Sequence, residues 1–235
     1  MKDLAIWAQS FDLHLTAEQL SQFAVYESLL LEWNDRISLT AIRDPHEIRI
    51  RHFLDSLTCA TVTGSLAACS MIDVGSGGGF PGLPLKILFP GLRLTVMDSV
   101  GKKARFLELV VRELGLEDVT VLAERAETLG HSPMYRAAFD WATARAVAEL
   151  RVLAELLLPF VRVGGHMLAQ KGESARQEVT AAATSIATLG GGKVTFTSVD
   201  LPETDQTHYL VVIAKERPTE DRYPRRAGMP AKRPL

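Results

Sequence analysis

Met71-Ile72-Asp73-Val74-Gly75-Ser76-Gly77-Gly78-Gly79-Phe80-Pro81-Gly82-Leu83-Pro84 decides the fold. An apolar run ends in an acid, passes into a glycine-rich turn and opens a helix. Five glycines and two prolines lie between Gly75 and Pro84. Such a turn reaches positive φ and lets the backbone approach a ligand closely. The helix start behind it presents free N–H groups and a positive dipole end. In an open α/β sheet this place, the carboxyl end of the first strand, binds small ligands.

The flanking pattern is that of such a sheet. Strands are expected at 69–74, 92–97, 119–122, 139–143 and 166–169, alternating with helices at 81–89, 102–114, 148–157 and 173–189. Two further runs, 194–199 and 209–214, have no helix between them and predict a closing antiparallel hairpin. Alternating β and α elements predict a mostly parallel, seven-stranded, Rossmann-like sheet with helices on both faces. The hairpin is typical of class I methyltransferases rather than of dinucleotide dehydrogenases. Before the sheet, the first 65 residues read as an all-helical N-terminal cap. It includes an amphipathic helix at 16–33 opened by the capping box Thr16-Ala17-Glu18-Gln19, and a helix over 52–62. Residues 66–216 form the ligand-binding domain. A basic tail occupies 217–235, which its prolines predict to be extended rather than helical.

The turn fits Asp-x-Gly-x-Gly-x-Gly through Asp73, Gly75, Gly77 and Gly79, the usual first motif of S-adenosylmethionine enzymes. It does not complete the dinucleotide fingerprint, whose last glycine is replaced by Phe80. Asp98 follows Gly75 by 23 residues, where a carboxylate accepts from ribose hydroxyls.

Composition narrows the function classes. The chain has 235 residues, 47% apolar and 23% charged, which is a globular profile. No run of about eighteen uncharged apolar residues predicts a membrane span, and the N-terminus does not read as a signal peptide. Cys59 and Cys69 stand in no CxxC or Cys/His pattern, so neither a disulfide framework nor a metal site is expected, and a cytoplasmic location is. A net charge of −2 argues against bulk coating of nucleic acid. The stretch Lys215–Leu235 nevertheless holds seven basic residues against three acids, a local patch suited to phosphates.

Several stretches together resemble the RsmG family, also called glucose-inhibited division protein B, the bacterial 16S ribosomal RNA (guanine-N7) methyltransferases. They are Trp33–Ile42, His52–Leu57, Asp73–Gly82, Arg145-Ala146, Lys171-Gly172 and Tyr223–Pro230. The likeness runs from about Trp33 to the C-terminus; Ser38 departs from the asparagine usual in the family. The resemblance implies S-adenosylmethionine as cofactor, S-adenosylhomocysteine as product, and 16S rRNA or the small ribosomal subunit as partner of a monomeric enzyme. It implies that Gly75, Gly77 and Phe80 lie against the methionine and ribose, with Asp73, Ser76, Gly79 and Ser99 completing that wall. Asp98 would hold the ribose, Ala126 and Glu127 would face the adenine, and Arg145 would stand at the mouth of the active site, touching the cofactor and positioning the reactants. Lys171, Arg225 and Arg226 are then the expected RNA contacts.

Each residue also has a plainer reading. Phe80 could be a core ring, Glu127 a solvated helix-start acid, and Arg145 the partner of Asp140 or Glu149. His52 and Asp55 could form a catalytic pair or only satisfy a helix. Guanine N7 carries a lone pair and no proton, so no general base is required. In keeping with this, no Asn/Asp-Pro-Pro-Tyr/Phe motif follows the fourth strand; Thr143-Ala144-Arg145-Ala146 stands there. Three alternatives remain open: a methyltransferase for a small molecule or protein, a non-enzymatic nucleotide-binding regulator, and an NAD oxidoreductase that Phe80 disfavours.

Overall fold

The computed structural model describes residues 1–205 and 207–235. The N-terminal layer is built from α1 (Lys2–Gln9) and α2 (Ala17–Asn34), then α3 (Pro45–Ile48), a π-helical turn at Arg49–Leu54, α4 (Asp55–Leu57) and α5 (Ala60–Thr63). The rest alternates as β1 (Ser70–Val74), α6 (Gly82–Leu88), β2 (Arg93–Met97), α7 (Gly101–Glu113), β3 (Val119–Leu122), α8 (Ala126–Leu129), β4 (Phe139–Arg145), α9 (Leu150–Leu157), β5 (Val161–Lys171) and α10 (Ala175–Thr188). It closes with β6 (Gly191–Asp200), β7 (Thr207–Lys215) and α11 (Met229–Lys232).

The sheet runs β3-β2-β1-β4-β5-β7-β6. β1 to β5 are parallel, and β7 inserts antiparallel between β5 and β6. Strand order reverses between β1 and β4, which opens the crevice where such sheets bind ligands. The period-two alternation of strands divides the core. Met71, Leu94, Val96, Trp141 and Leu168 pack with α2, the π turn, α6 and α7 on one face. Ile72, Val74, Ala142, Ala144 and Met167 pack with α9 and α10 on the other. The N-terminal helices thus have no core of their own, and their apolar side chains complete one face of the sheet.

The capping box at the start of α2 forms: Gln19 Oε1 accepts from the Thr16 N–H at 2.9 Å, and Thr16 Oγ1 accepts from the Gln19 N–H at 3.2 Å. The same Gln19 donates through Nε2 to the Ile87 carbonyl at 2.8 Å, so the cap also docks α2 on α6.

Two expectations are corrected. The helix expected over 52–62 is not one regular helix: its start is π-wound, and it breaks after Leu57 before resuming at Ala60. One extra residue per turn is invisible to a 3.6-residue pattern. The tail is not simply extended, because Pro230 sits in the first turn of α11, where a missing N–H costs nothing. Nor is it loose. Arg225 clamps the fully buried Glu155 of α9, with Nη2 to Oε2 at 2.6 Å and its own N–H to Oε1 at 2.8 Å. Arg136 donates to the carbonyls of Thr219, Glu220 and Tyr223.

Arg225→Ala strands the Glu155 carboxylate in an apolar interior. We expect it to lower unfolding free energy by about 2–4 kcal/mol, somewhat below the usual cost of breaking a buried pair because Arg225 is partly exposed. Denaturant titration measures this; an unchanged midpoint would mean that the tail does not carry this anchor.

Candidate functional site

The turn after β1 is held from three sides. The Gly75 and Ser76 N–H groups donate to the Met97 carbonyl at the end of β2, at 2.9 and 3.0 Å. Asp73, fully buried, accepts from the Gly82 N–H at 3.0 Å, and its carbonyl accepts from Ser76 Oγ at 2.9 Å. Burial raises the Asp73 carboxyl to about 7 despite these donors. From the helical layer, the Tyr26 hydroxyl donates to the Gly78 carbonyl. Gly79, at φ +97°, leaves no room for a Cβ between Tyr26 and Leu83.

A crevice of about 190 Å³ opens beside this turn, lined among others by Gly75, Asp98, Ser99, Ala126, Glu127 and Val147. Asp98 Oδ2 accepts from the Gly77 N–H at 3.1 Å and Oδ1 from the Val100 N–H at 2.8 Å. A carboxylate offers about four lone-pair sites, so two acceptor positions remain for a diol. Beyond Gly77 the turn is open, since a Cβ there would meet only the Gly75 carbonyl oxygen at 3.9 Å. The diol of a nucleoside fits these acceptor positions and this clearance. The Gly228 N–H of the tail donates to Glu127 Oε1 at 2.9 Å, so Glu127 is not a freely solvated acid.

A second pocket, about 400 Å³, lies on the other side of β1, over β4 and β5. Its walls include His52 and Asp55 from the helical layer, Arg145, Gln170 and Lys171 from strand ends, and His208. Arg145 donates to Asp55 Oδ2 at 2.8 Å, to the Arg51 carbonyl at 2.9 Å and to His52 Nδ1 at 3.0 Å. His52 Nδ1 also lies 3.0 Å from the Arg51 carbonyl, and its Nε2 lies 2.6 Å from Thr40 Oγ1, so both ring nitrogens are held by the protein. Burial, then the Arg145 charge, push the His52 imidazole down to about 3. For Asp55, burial alone would raise the carboxyl, but His208 and Arg145 outweigh it and hold the group below its ordinary value.

Gly75, Asp98, Ser99, Ala126 and Glu127 therefore line the first crevice, while Asp73, Ser76, Gly77 and Gly79 shape the turn. Four placements differ from expectation. Phe80 lines neither pocket; it is 5% exposed and stacks on His52 at 4.6 Å and Tyr26 at 5.6 Å, which is the core reading. Arg145 belongs to the second pocket rather than the nucleoside crevice, and pairs with neither Asp140 nor Glu149, which hold Arg162 and Arg151. Lys171 is bound to Glu178 at 2.6 Å and to the Ala148 carbonyl at 2.6 Å. Arg225 is committed to Glu155, leaving Arg226 exposed with no side-chain partner among the described residues. Sequence reasoning missed Tyr26, Gln170 and His208, each remote in sequence from the groups it serves.

The signature described as rRNA small subunit methyltransferase G matches residues 19–208. The chain belongs to this family. A ribosomal RNA small subunit methyltransferase G of Roseiflexus sp. strain RS-1 is 51% identical over 228 residues, covering 97% of each chain. The one of Alkaliphilus metalliredigens is 45% identical over 97% of this chain and 95% of its own. Among solved structures, a SAM-dependent methyltransferase from Aquifex aeolicus aligns with TM-score 0.54 at 16% identity, covering 72% of this chain and 93% of that one. Aeropyrum pernix fibrillarin, solved with bound S-adenosyl-L-methionine, aligns with TM-score 0.51 at 16% identity, covering 68% and 74%. The fold is the Rossmann-like class I methyltransferase fold. Among the described residues, no helix is long and apolar enough to cross a membrane.

The site titrates in opposed directions. His52, depressed to about 3, favours folding fully above its unfolded value near 6.5; that contribution is lost as pH falls from there toward 3. Asp73, raised to about 7, contributes below its unfolded value near 3.8 and is lost as pH rises through 7. We expect His52→Asn to flatten the decline in stability between pH 6.5 and 4, followed as melting temperature against pH. Identical acid limbs in the two proteins would remove His52 as its source.

Proposed function

We propose that this chain transfers a methyl group from S-adenosylmethionine to N7 of a guanine in 16S rRNA of the small ribosomal subunit. The observation that carries the reading is the pairing of two pockets across the end of β1. One is suited to a nucleoside through Asp98 and Glu127; the other, lined by Arg145, Gln170 and the paired Lys171 and Glu178, is wide enough for a base. Family membership supplies the substrate class. S-adenosylmethionine would bring the electrophilic sulfonium methyl.

The chain's own residues are arranged for holding rather than for proton transfer. The neutral His52 has both ring nitrogens bonded, and Asp55 is paired on both oxygens. Neither is poised as a base, and N7, with its in-plane lone pair, needs none. The remaining work is alignment of nucleophile, methyl carbon and sulfur, which fixed neighbours supply by proximity. Arg145, locked to the helical layer, would meet the edge of the base with its remaining N–H donors. N7 is inaccessible in the deep groove of A-form RNA, so an unpaired or splayed nucleotide is the expected target. Arg226, with the exposed Lys232 and Arg233, replaces Lys171 and Arg225 as the group of cations open to phosphate. A monomer acting in the cytoplasm completes the proposal.

Labelled S-adenosylmethionine given to small subunits from cells lacking this mark should place label at one guanine, which then becomes sensitive to borohydride and aniline cleavage. Label appearing only on a small molecule or protein would overturn the assignment. Asp98→Ala should weaken S-adenosylmethionine binding by about 1–3 kcal/mol, because a charged acceptor is lost. Calorimetry on a variant whose melting temperature is preserved measures this; unchanged affinity would place the ribose elsewhere.

A further inference from the structure

Most polar side chains of the second pocket are satisfied by protein partners. His52, Asp55, Lys171 and Glu178 all have protein partners within hydrogen-bond distance. Gln170 does not share this. Its Nε2 donates to the Asp55 carbonyl at 2.9 Å, while its Oε1 has no partner among the described residues, although Gln170 is only 6% exposed. The Asp55 contact also sets the amide's orientation, since the flipped form would face oxygen to oxygen. Gln170 lines the pocket, and its Oε1, fixed in orientation and withdrawn from water, is costly there unless a donor reaches it.

We infer that Gln170 Oε1 is the base-reading acceptor of this site, receiving the N1–H and 2-amino donors of the target guanine. This rests on the methyl-transfer reading above. The register supports it. Arg145 of β4 lies directly opposite Gln170 of β5, and β1 flanks β4 on the other side. Neighbouring strands stand about 4.8 Å apart, so β1 and β5 are separated by about 10 Å, a span that a purine bridges. Around the rim of guanine the order is N7, O6, N1, 2-amino. With N7 toward the nucleoside crevice at β1, O6 falls over β4 and the N1 edge over β5. Arg145 uses three of its five N–H donors on protein groups, leaving two that suit O6. Adenine in the same pose would turn the N1 lone pair toward Gln170 Oε1 and an amino group toward Arg145, a mismatch at both positions. The pair thus selects guanine and orients its N7.

The test uses small subunits reconstituted with 16S rRNA bearing guanosine or inosine at the acceptor nucleotide; inosine lacks only the 2-amino group. The wild-type protein should lose about 10- to 100-fold in kcat/KM on inosine. Gln170→Leu should lose a similar factor on guanosine and discriminate little between the two substrates. Gln170→Glu keeps an acceptor while giving up the donor to Asp55, and should retain most of the guanosine preference. This separates base reading from a merely structural tether. S-adenosylhomocysteine affinity, measured by calorimetry, should be unchanged in both variants, which also reports their folding. Wild-type preference retained in Gln170→Leu, or no guanosine preference in the wild type, overturns the inference. Absence of any wild-type transfer to guanosine subunits instead overturns the methyl-transfer reading beneath it.

Discussion

The ion pair between Asp55 and Arg145 joins the two halves of the molecule at the point where chemistry is expected. Asp55 comes from the helical layer and Arg145 from the end of β4, and both are largely withdrawn from water. Such a pair adds little net stability, because desolvation cancels much of the attraction, but removing either partner leaves a buried charge. Its consequence is therefore geometric. The carboxylate takes His208 on its other oxygen, and the guanidinium takes His52 and the Arg51 carbonyl, so three segments distant in sequence meet at one point. The π turn makes this possible. Its last turn carries the Arg51 carbonyl and His52, and Asp55 follows it directly, so all three fall on one face of the helical segment.

The same layer governs the glycine turn. Tyr26 reaches down from α2 to the Gly78 carbonyl, and Phe80 reaches up from the turn to stack on Tyr26 and His52. The donor side and the acceptor side of the site thus share one aromatic stack. A shift in the helical layer would move both pockets together, and this ties catalytic alignment to the packing of residues that touch neither substrate. Asp73 completes the arrangement from beneath. A carboxyl raised to about 7 by burial holds the start of α6 through the Gly82 N–H, so it maintains the shape of the turn.

Much of this was legible in the amino-acid pattern, and the exceptions share a cause. The alternation of strands and helices, the closing hairpin, the capping box at Thr16 and the acid at Asp98 all depend on local periodicity or fixed spacing, which a linear reading carries. The protein partners of Phe80, Lys171 and Arg225 were not foreseen because residue type names a capability and not a partner. A ring after a glycine turn suits a cofactor or a core; here Tyr26 and His52, remote in sequence, made it core. Gln170 and His208 escaped attention because each gains meaning only from Asp55, at separations of 115 and 153 residues.

Arg225 and Arg226 carry that lesson to its limit. They are adjacent, chemically identical, and belong to one basic run. Glu155, fully buried on α9, demands a cation, and a bidentate guanidinium meets that demand better than an ammonium could. The chain supplies it with Arg225, which turns that residue inward, and Arg226 is directed outward by the same backbone. A single run thus serves two ends: one residue pins the tail to the fold, and the pinned tail lays Gly228 against Glu127 at the rim of the nucleoside crevice. The free cations are held near the site because a neighbouring cation has been buried to hold them there.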